Sequence, residues 1–159
     1  MIETSFHSYT PAQGHGLPHD PFNAIVAPRP IGWISSRSAG GQVNLAPYSF
    51  FNAFNYVPPI IGFSSIGRKD TLRNVQETGE FVWNLVNWPL AEAMNATCAA
   101  VAPEVNEFAL AGLTECASEQ VQVPRVGESP VAMECRLTQV LQLTGANGDP
   151  VETWMVFGE

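Results

Sequence analysis

The feature that most constrains this chain is the stretch 27–79, where three apolar, aromatic and β-branched runs follow one another, each closed by a turn signal. Pro28-Arg29-Pro30 precedes a first run at 31–37. Ser38-Ala39-Gly40-Gly41-Gln42 follows as a turn, and residues 43–51 resume an extended pattern. Tyr56-Val57-Pro58-Pro59 breaks that pattern before a third run at 60–66. Strands joined by turns this short pair antiparallel, because a parallel pair needs a long crossover. Gly40-Gly41 suits the positive φ of a tight hairpin. Pro47 has no amide hydrogen, so its strand is predicted at an edge or a bulge, and a bulge would turn backbone groups toward a ligand.

Beyond this stretch, Asp70 or Thr71 is predicted to cap a helix of about two turns that stops at Gly79. Residues 80–88 read as a strand. Residues 89–100 read as a helix, with proline near its start and five alanines behind it. A short helix is predicted over 105–111, closed by Gly112, and 114–130 reads as loop. Residues 131–143 alternate as one long half-exposed strand, 145–150 form an Asn-Gly turn, and 153–157 begin another strand. Residues 1–23 read as an irregular arm. The expectation is one domain over 1–159, mainly β with short helices, built as an antiparallel barrel or sandwich. No glycine spacing fits a dinucleotide fingerprint or a P-loop.

Composition narrows the function classes. Fifteen acidic residues against seven basic ones give a net charge of −8, which disfavours nucleic acid and anionic membranes as partners. No apolar run reaches the roughly 18 residues needed to span a bilayer. The N-terminus has no apolar segment behind a basic start, which argues against a signal peptide. Cys98, Cys116 and Cys135 lack metal-ligand spacing and lie far from His7, His15 and His19. No metal site is expected, and the thiols suit a reducing cytoplasm. With 45% hydrophobic and only 14% charged residues, more apolar surface is expected than a monomer hides, and hence an oligomer.

Against the acidic background, the segment from Ser64 to Thr71 stands out. Ser64, Ser65 and Thr71 offer hydroxyls, Gly67 frees the backbone, and Arg68 and Lys69 add positive charge ahead of Asp70 and a helix start. Free amides at a helix N-terminus favour an anion such as phosphate. The same residues also fit a solvated basic turn with an ordinary cap. Ser35, Ser36, Asn44 and Ser49 lie on or near adjacent predicted strands, where they suit the edge of a heteroaromatic ring or a plain exposed hairpin face. Glu77, Glu80, Glu92, Glu104 and Glu107 read as solvated helix faces. No nucleophile–base pair stands out, so no catalytic side chain is assigned. An enzyme so poor in candidates takes its chemistry from a cofactor.

The segments PRPIGWISS, VNLAPYSFFNA and PPIIGFSSIGRKDTLRNVQETGEFVWNLV, followed in order by NATCA, EFALAGL and PRVGESPVAMECRL, resemble the flavin reductase-like, FMN-binding split-barrel family over about residues 20–159. The resemblance implies a split β-barrel, a homodimer, and FMN near the subunit interface. It implies an oxidoreductase with NADH or NADPH as electron donor, in some members serving a partner oxygenase; the alternative is a non-catalytic flavin-binding module. It places Ser35 and Ser36 beside the flavin. Asn44, Ala46, Pro47, Tyr48 and Ser49 fall along its ring and ribityl chain, and Ser64, Ser65, Arg68, Lys69, Asp70 and Thr71 at its phosphate. Two departures stand out. Family members continue past the VFGE at which this chain ends, so an open barrel edge is expected there. Arg37 also replaces a commonly uncharged residue, where it would meet an anionic ligand or a partner's carboxylate.

Overall fold

The computed structural model describes residues 6–159. Nine strands and four short helices follow one another: α1 (Pro21–Ile25), β1 (Gly32–Arg37), β2 (Val43–Tyr48), β3 (Phe51–Tyr56), β4 (Pro59–Ile66), α2 (Asp70–Thr78), β5 (Glu80–Asn84), α3 (Ala91–Ala96), α4 (Glu107–Leu110), β6 (Glu115–Cys116), β7 (Arg125–Val126), β8 (Ala132–Thr144) and β9 (Pro150–Gly158). Seven strands form one antiparallel sheet in the order β2-β1-β5-β8-β9-β4-β3, and β6 with β7 makes a separate two-stranded ribbon. The mainly β, antiparallel expectation is met. Among the described residues, no helix is long and apolar enough to cross a membrane.

The two edge strands, β2 and β3, are consecutive in the chain and separated only by Ser49 and Phe50. The run predicted as one strand over 43–51 therefore breaks there. The reason lies in the register. Gly32, the first residue of β1, pairs with Tyr48, so the chain beyond Tyr48 has no neighbour to continue on. It bends over Gly32, where an added Cβ would sit 2.7 Å from the Phe51 ring, and pairs instead with β4. The Ser64 amide donates to the Phe50 carbonyl at 2.8 Å and pins the bend. Pro47 lies on an edge without a register shift, which is the edge alternative of the prediction. The last strand, β9, lies between β8 and β4, so the sheet's edges do not fall at the chain's end.

Alternation along the strands sorts side chains onto two faces. Ile34, Tyr48, Phe63, Phe81, Trp154 and Val156 form the barrel core, closed at one end by Leu72 and Val75 of α2. On the other face, Trp33, Leu45, Leu90, Phe108 and Val126 form a second cluster under α3 and α4. Neighbours Trp33 and Ile34 thus serve different cores, and β1 is buried on both sides.

Other boundaries shift for local reasons. The helix predicted over 89–100 is a 3-10 turn at Trp88–Leu90 followed by α3 alone. The Thr97 hydroxyl donates to the Met94 carbonyl at 2.7 Å and receives the Trp33 indole N–H at 3.0 Å, so a side-chain bond outweighs alanine's helix propensity. The strand predicted over 80–88 ends at Asn84. In the predicted loop 114–130, only β6 and β7 pair. Gly79 ends α2 in the left-handed region with φ of 73°, and Gly112 follows α4 with φ of 67°.

Gly62 of β4 marks a close approach of β9. An added Cβ there would lie 2.8 Å from the Phe157 side chain and 2.9 Å from the Val156 carbonyl oxygen. Gly62→Ala is expected to destabilise the fold by about 1–3 kcal/mol, read as a lower urea midpoint at unchanged m-value.

Candidate functional site

The site grows from the seating of α2 between β1 and β2. The Asn44 amide on β2 donates to the Thr71 hydroxyl at 2.8 Å, and the Asn74 amide donates to the Ser36 hydroxyl of β1 at 3.2 Å. Both bonds are buried. They fix the first turn of α2 against the edge of the sheet. The Arg73 amide is the first to find an intrahelical acceptor, the Lys69 carbonyl. The amides of Asp70, Thr71 and Leu72 therefore precede the helical ladder. The predicted cap by Asp70 or Thr71 does not form. Lys69 occupies the cap position without a side-chain bond, and Asp70, one residue inside, pairs with Arg73 at 2.7 Å.

A cavity of about 440 Å³ opens at this helix start, within the range of small-molecule sites. Asn44, Ala46, Pro47 and Tyr48 of β2 line one wall, and Arg68, Lys69, Asp70 and Thr71 line another. These two sequence-predicted segments thus converge. Thr97, Cys98, Ala99, Ala100, Val101 and Glu107 complete the lining. The other predicted residues lie off it. Ser36 sits behind, tied to Asn74. Ser35 faces the opposite way and donates to the Pro124 carbonyl at 2.6 Å. Ser64 and Ser65 are buried on β4, with the Ser65 hydroxyl on the Gly67 carbonyl at 2.9 Å. Ser49 lines a separate cavity of about 320 Å³ with Arg29 and Phe50. Arg37 donates to the Gln122 carbonyl at 3.3 Å, away from the helix start.

The cavity's charges are mixed. Arg68 lies over the Trp154 ring, 4.9 Å from its centroid, which holds the guanidinium in place. Neither Arg68 nor Lys69 has an ion pair among the described residues. Burial pushes the Cys98 thiol up from its ordinary pKa, against the pull of Lys69.

Glu107 overturns the expectation of a solvated helix face. It is only 7% exposed, and its Oε2 accepts the Leu45 amide of β2 at 3.1 Å. Burial raises its pKa, against the Leu45 and Glu107 amides, and the nearby Asp70 charge adds to the rise. Sequence reasoning missed Glu107 and Thr97 as site residues because their roles depend on long-range contacts. The only signal was that NATCA and EFALAGL belong to the ordered series of matching segments.

The profile of the flavin reductase like domain matches residues 26–156, most of the chain. The chain belongs to that family. An uncharacterised protein of Halalkalibacterium halodurans is 42% identical over 137 residues, covering 82% of this chain and 65% of the relative. The chain thus spans just under two thirds of that relative's length. Nitrilotriacetate monooxygenase component B from Bacillus cereus superposes with a TM-score of 0.85 at 33% identity, over 98% of this chain and 79% of its own. The 2-nitrobenzoate 2-nitroreductase of Pseudomonas fluorescens gives 0.77 at 32% identity, over 87% of this chain and 66% of its own. The antiparallel sheet is accordingly the split barrel of this family.

Because the folded state favours neutral Glu107, its contribution to stability is full below the unfolded-state pKa and is lost as pH rises through the raised folded value. The stability of wild type relative to Glu107→Gln is therefore expected to fall as pH rises above the ordinary carboxylate range. Urea unfolding of both proteins at rising pH checks it, and parallel pH profiles would refute it.

Proposed function

We propose that this chain is an FMN-binding oxidoreductase of the flavin reductase type. The observation that carries this reading is the convergence of the β2 segment and the Arg68–Thr71 turn on one cavity at the start of α2, in a domain of the flavin reductase family. The donor set fits a flavin phosphate. Amides at a helix start, the Thr71 hydroxyl and two adjacent cations together match a multivalent oxyanion. Arg68, held on Trp154, offers a directional fork, and Lys69 a mobile point charge. Asn44, Ala46, Pro47 and Tyr48 would lie along the ribityl chain and ring. Ser35, Ser36, Ser49, Ser64 and Ser65 would support that wall from behind or from its far side. When bound, FMN supplies the electron-transfer chemistry, with NADH or NADPH as donor.

The protein's own part is to bind, orient and shield. Thr71 and Asn44 hold the β2 wall at a fixed distance from the α2 amides. Exposed Tyr56, Val57, Trp88 and Leu141 offer apolar surface that suits a homodimer. The likeness to a monooxygenase component B supports delivery of reduced flavin to a partner oxygenase. Three unpaired cysteines agree with work in the cytoplasm.

The purified protein is expected to retain a perturbed flavin absorption spectrum after incubation with FMN and desalting, and to oxidise NADH or NADPH with flavin present. Flavin retention without turnover would instead support a binding module. Replacing both Arg68 and Lys69 by alanine is expected to weaken FMN by about 10- to 100-fold. Unchanged FMN affinity in that variant, measured by fluorescence titration, would overturn the phosphate assignment.

A further inference from the structure

Glu107 is a buried carboxylate without a counter-ion. The residue is only 7% exposed, yet it forms part of the lining of the cavity at the start of α2. The one ion pair among the described residues joins Asp70 to Arg73, so no cation balances Glu107. Its Oε2 accepts the Leu45 amide at 3.1 Å, and its own amide also approaches the carboxylate. A carboxylate has room for about four hydrogen bonds. Acceptor capacity is therefore left over where Glu107 borders the cavity. Satisfying the Leu45 amide does not need a charge. A glutamine carbonyl would do it without the cost of burying an unpaired ion. The carboxylate points to a second task.

Its placement indicates which. Side chains along β2 alternate between two faces. Asn44 reaches Thr71 on the face that carries α2, whereas Leu45 packs with Phe108 of α4 on the other. The start of α2 and Glu107 of α4 thus flank β2 from opposite sides, and the cavity borders both. The α2 end offers donors: the amides ahead of the helical ladder, Arg68 and Lys69. Asp70, the other carboxylate of the lining, is engaged by Arg73. Glu107 therefore gives the cavity a charged acceptor across the strand from its anion-binding end. A ligand that satisfies both ends is anionic at one and carries an O–H or N–H at the other.

We infer that Glu107 accepts a hydrogen bond from the uncharged part of the flavin, a chain hydroxyl or the ring imide N–H, and makes the site select a ligand with a donor there. This rests on the reading of the cavity as an FMN site, and it adds a binding residue on α4 that the family resemblance does not name. The carboxylate also sets direction. It repels a phosphate, so it favours the ligand with its phosphate at α2 over the reversed one.

Three ligands isolate the effect: FMN, an analogue whose ring carries a phosphopentyl chain without hydroxyls, and FMN methylated at the imide nitrogen. Each is titrated by fluorescence into wild type, Glu107→Gln and Glu107→Ala. Wild type is expected to bind one of the two analogues about tenfold more weakly than FMN. That ratio is expected to approach unity in Glu107→Ala. It is expected to fall as well in Glu107→Gln, whose single acceptor oxygen is held by the Leu45 amide. Ratios taken within one protein cancel any general loosening caused by the substitution. The analogue whose penalty disappears identifies the donor as hydroxyl or imide. If wild type binds all three ligands alike, or either variant keeps the wild-type ratios, the inference falls while the FMN reading stands. If wild type binds no flavin, that reading falls and takes the inference with it.

Discussion

The buried bond from the Asn44 amide to the Thr71 hydroxyl, 2.8 Å long, is the contact on which the rest of the site depends. It joins the edge strand β2 to the first turn of α2. On its far side, the Asn74 amide reaches the Ser36 hydroxyl of β1. Two asparagines, one on the sheet and one on the helix, thus lock α2 across the barrel's end while Leu72 and Val75 fill it. Amide–hydroxyl bonds in a buried setting are directional and costly to leave unmade. They therefore fix the rotation of the helix about its axis, which apolar packing alone would leave looser.

A similar division of labour holds on the outer face. Asn84 donates to the Trp33 carbonyl at 3.2 Å and accepts the Val126 amide at 2.8 Å, stitching β5 to β1 and to the loop that covers them. The Trp33 indole N–H fastens Thr97 at the cavity rim. Tryptophan here fills a core and carries a polar end to a defined place. The rim segment 97–101 is thereby tied to β1, which is buried on both faces, even though the segment has no regular structure of its own.

Much of the strand order near the site was legible because it is local. Pro47, the Gly40-Gly41 turn and the alternation of 131–143 each report on their immediate neighbourhood. The helix start at Asp70 and its stop at Gly79 were legible for the same reason. What escaped was set by partners far along the chain. The bend at Ser49 and Phe50 depends on where β1 begins. The early end of α3 depends on Trp33, 64 residues from Thr97. Ser35 and Ser36 looked alike as a pair, yet strand alternation sends one toward Pro124 and the other toward α2. Glu107 looked like a solvated helix residue, and only the proximity of Leu45 makes it a buried acceptor.

The treatment of the β2 edge has a consequence for how this protein meets other chains. In an antiparallel strand, alternate residues point their amides outward. Along β2, the outward amide of Leu45 is taken by Glu107, and the next position of that parity is Pro47, which has none. An approaching strand would find carbonyls and no donor at these two positions. Two of the outward donors of this edge are thus withheld from a templating strand by one carboxylate and one ring, while the cavity beside β2 stays open to a small ligand.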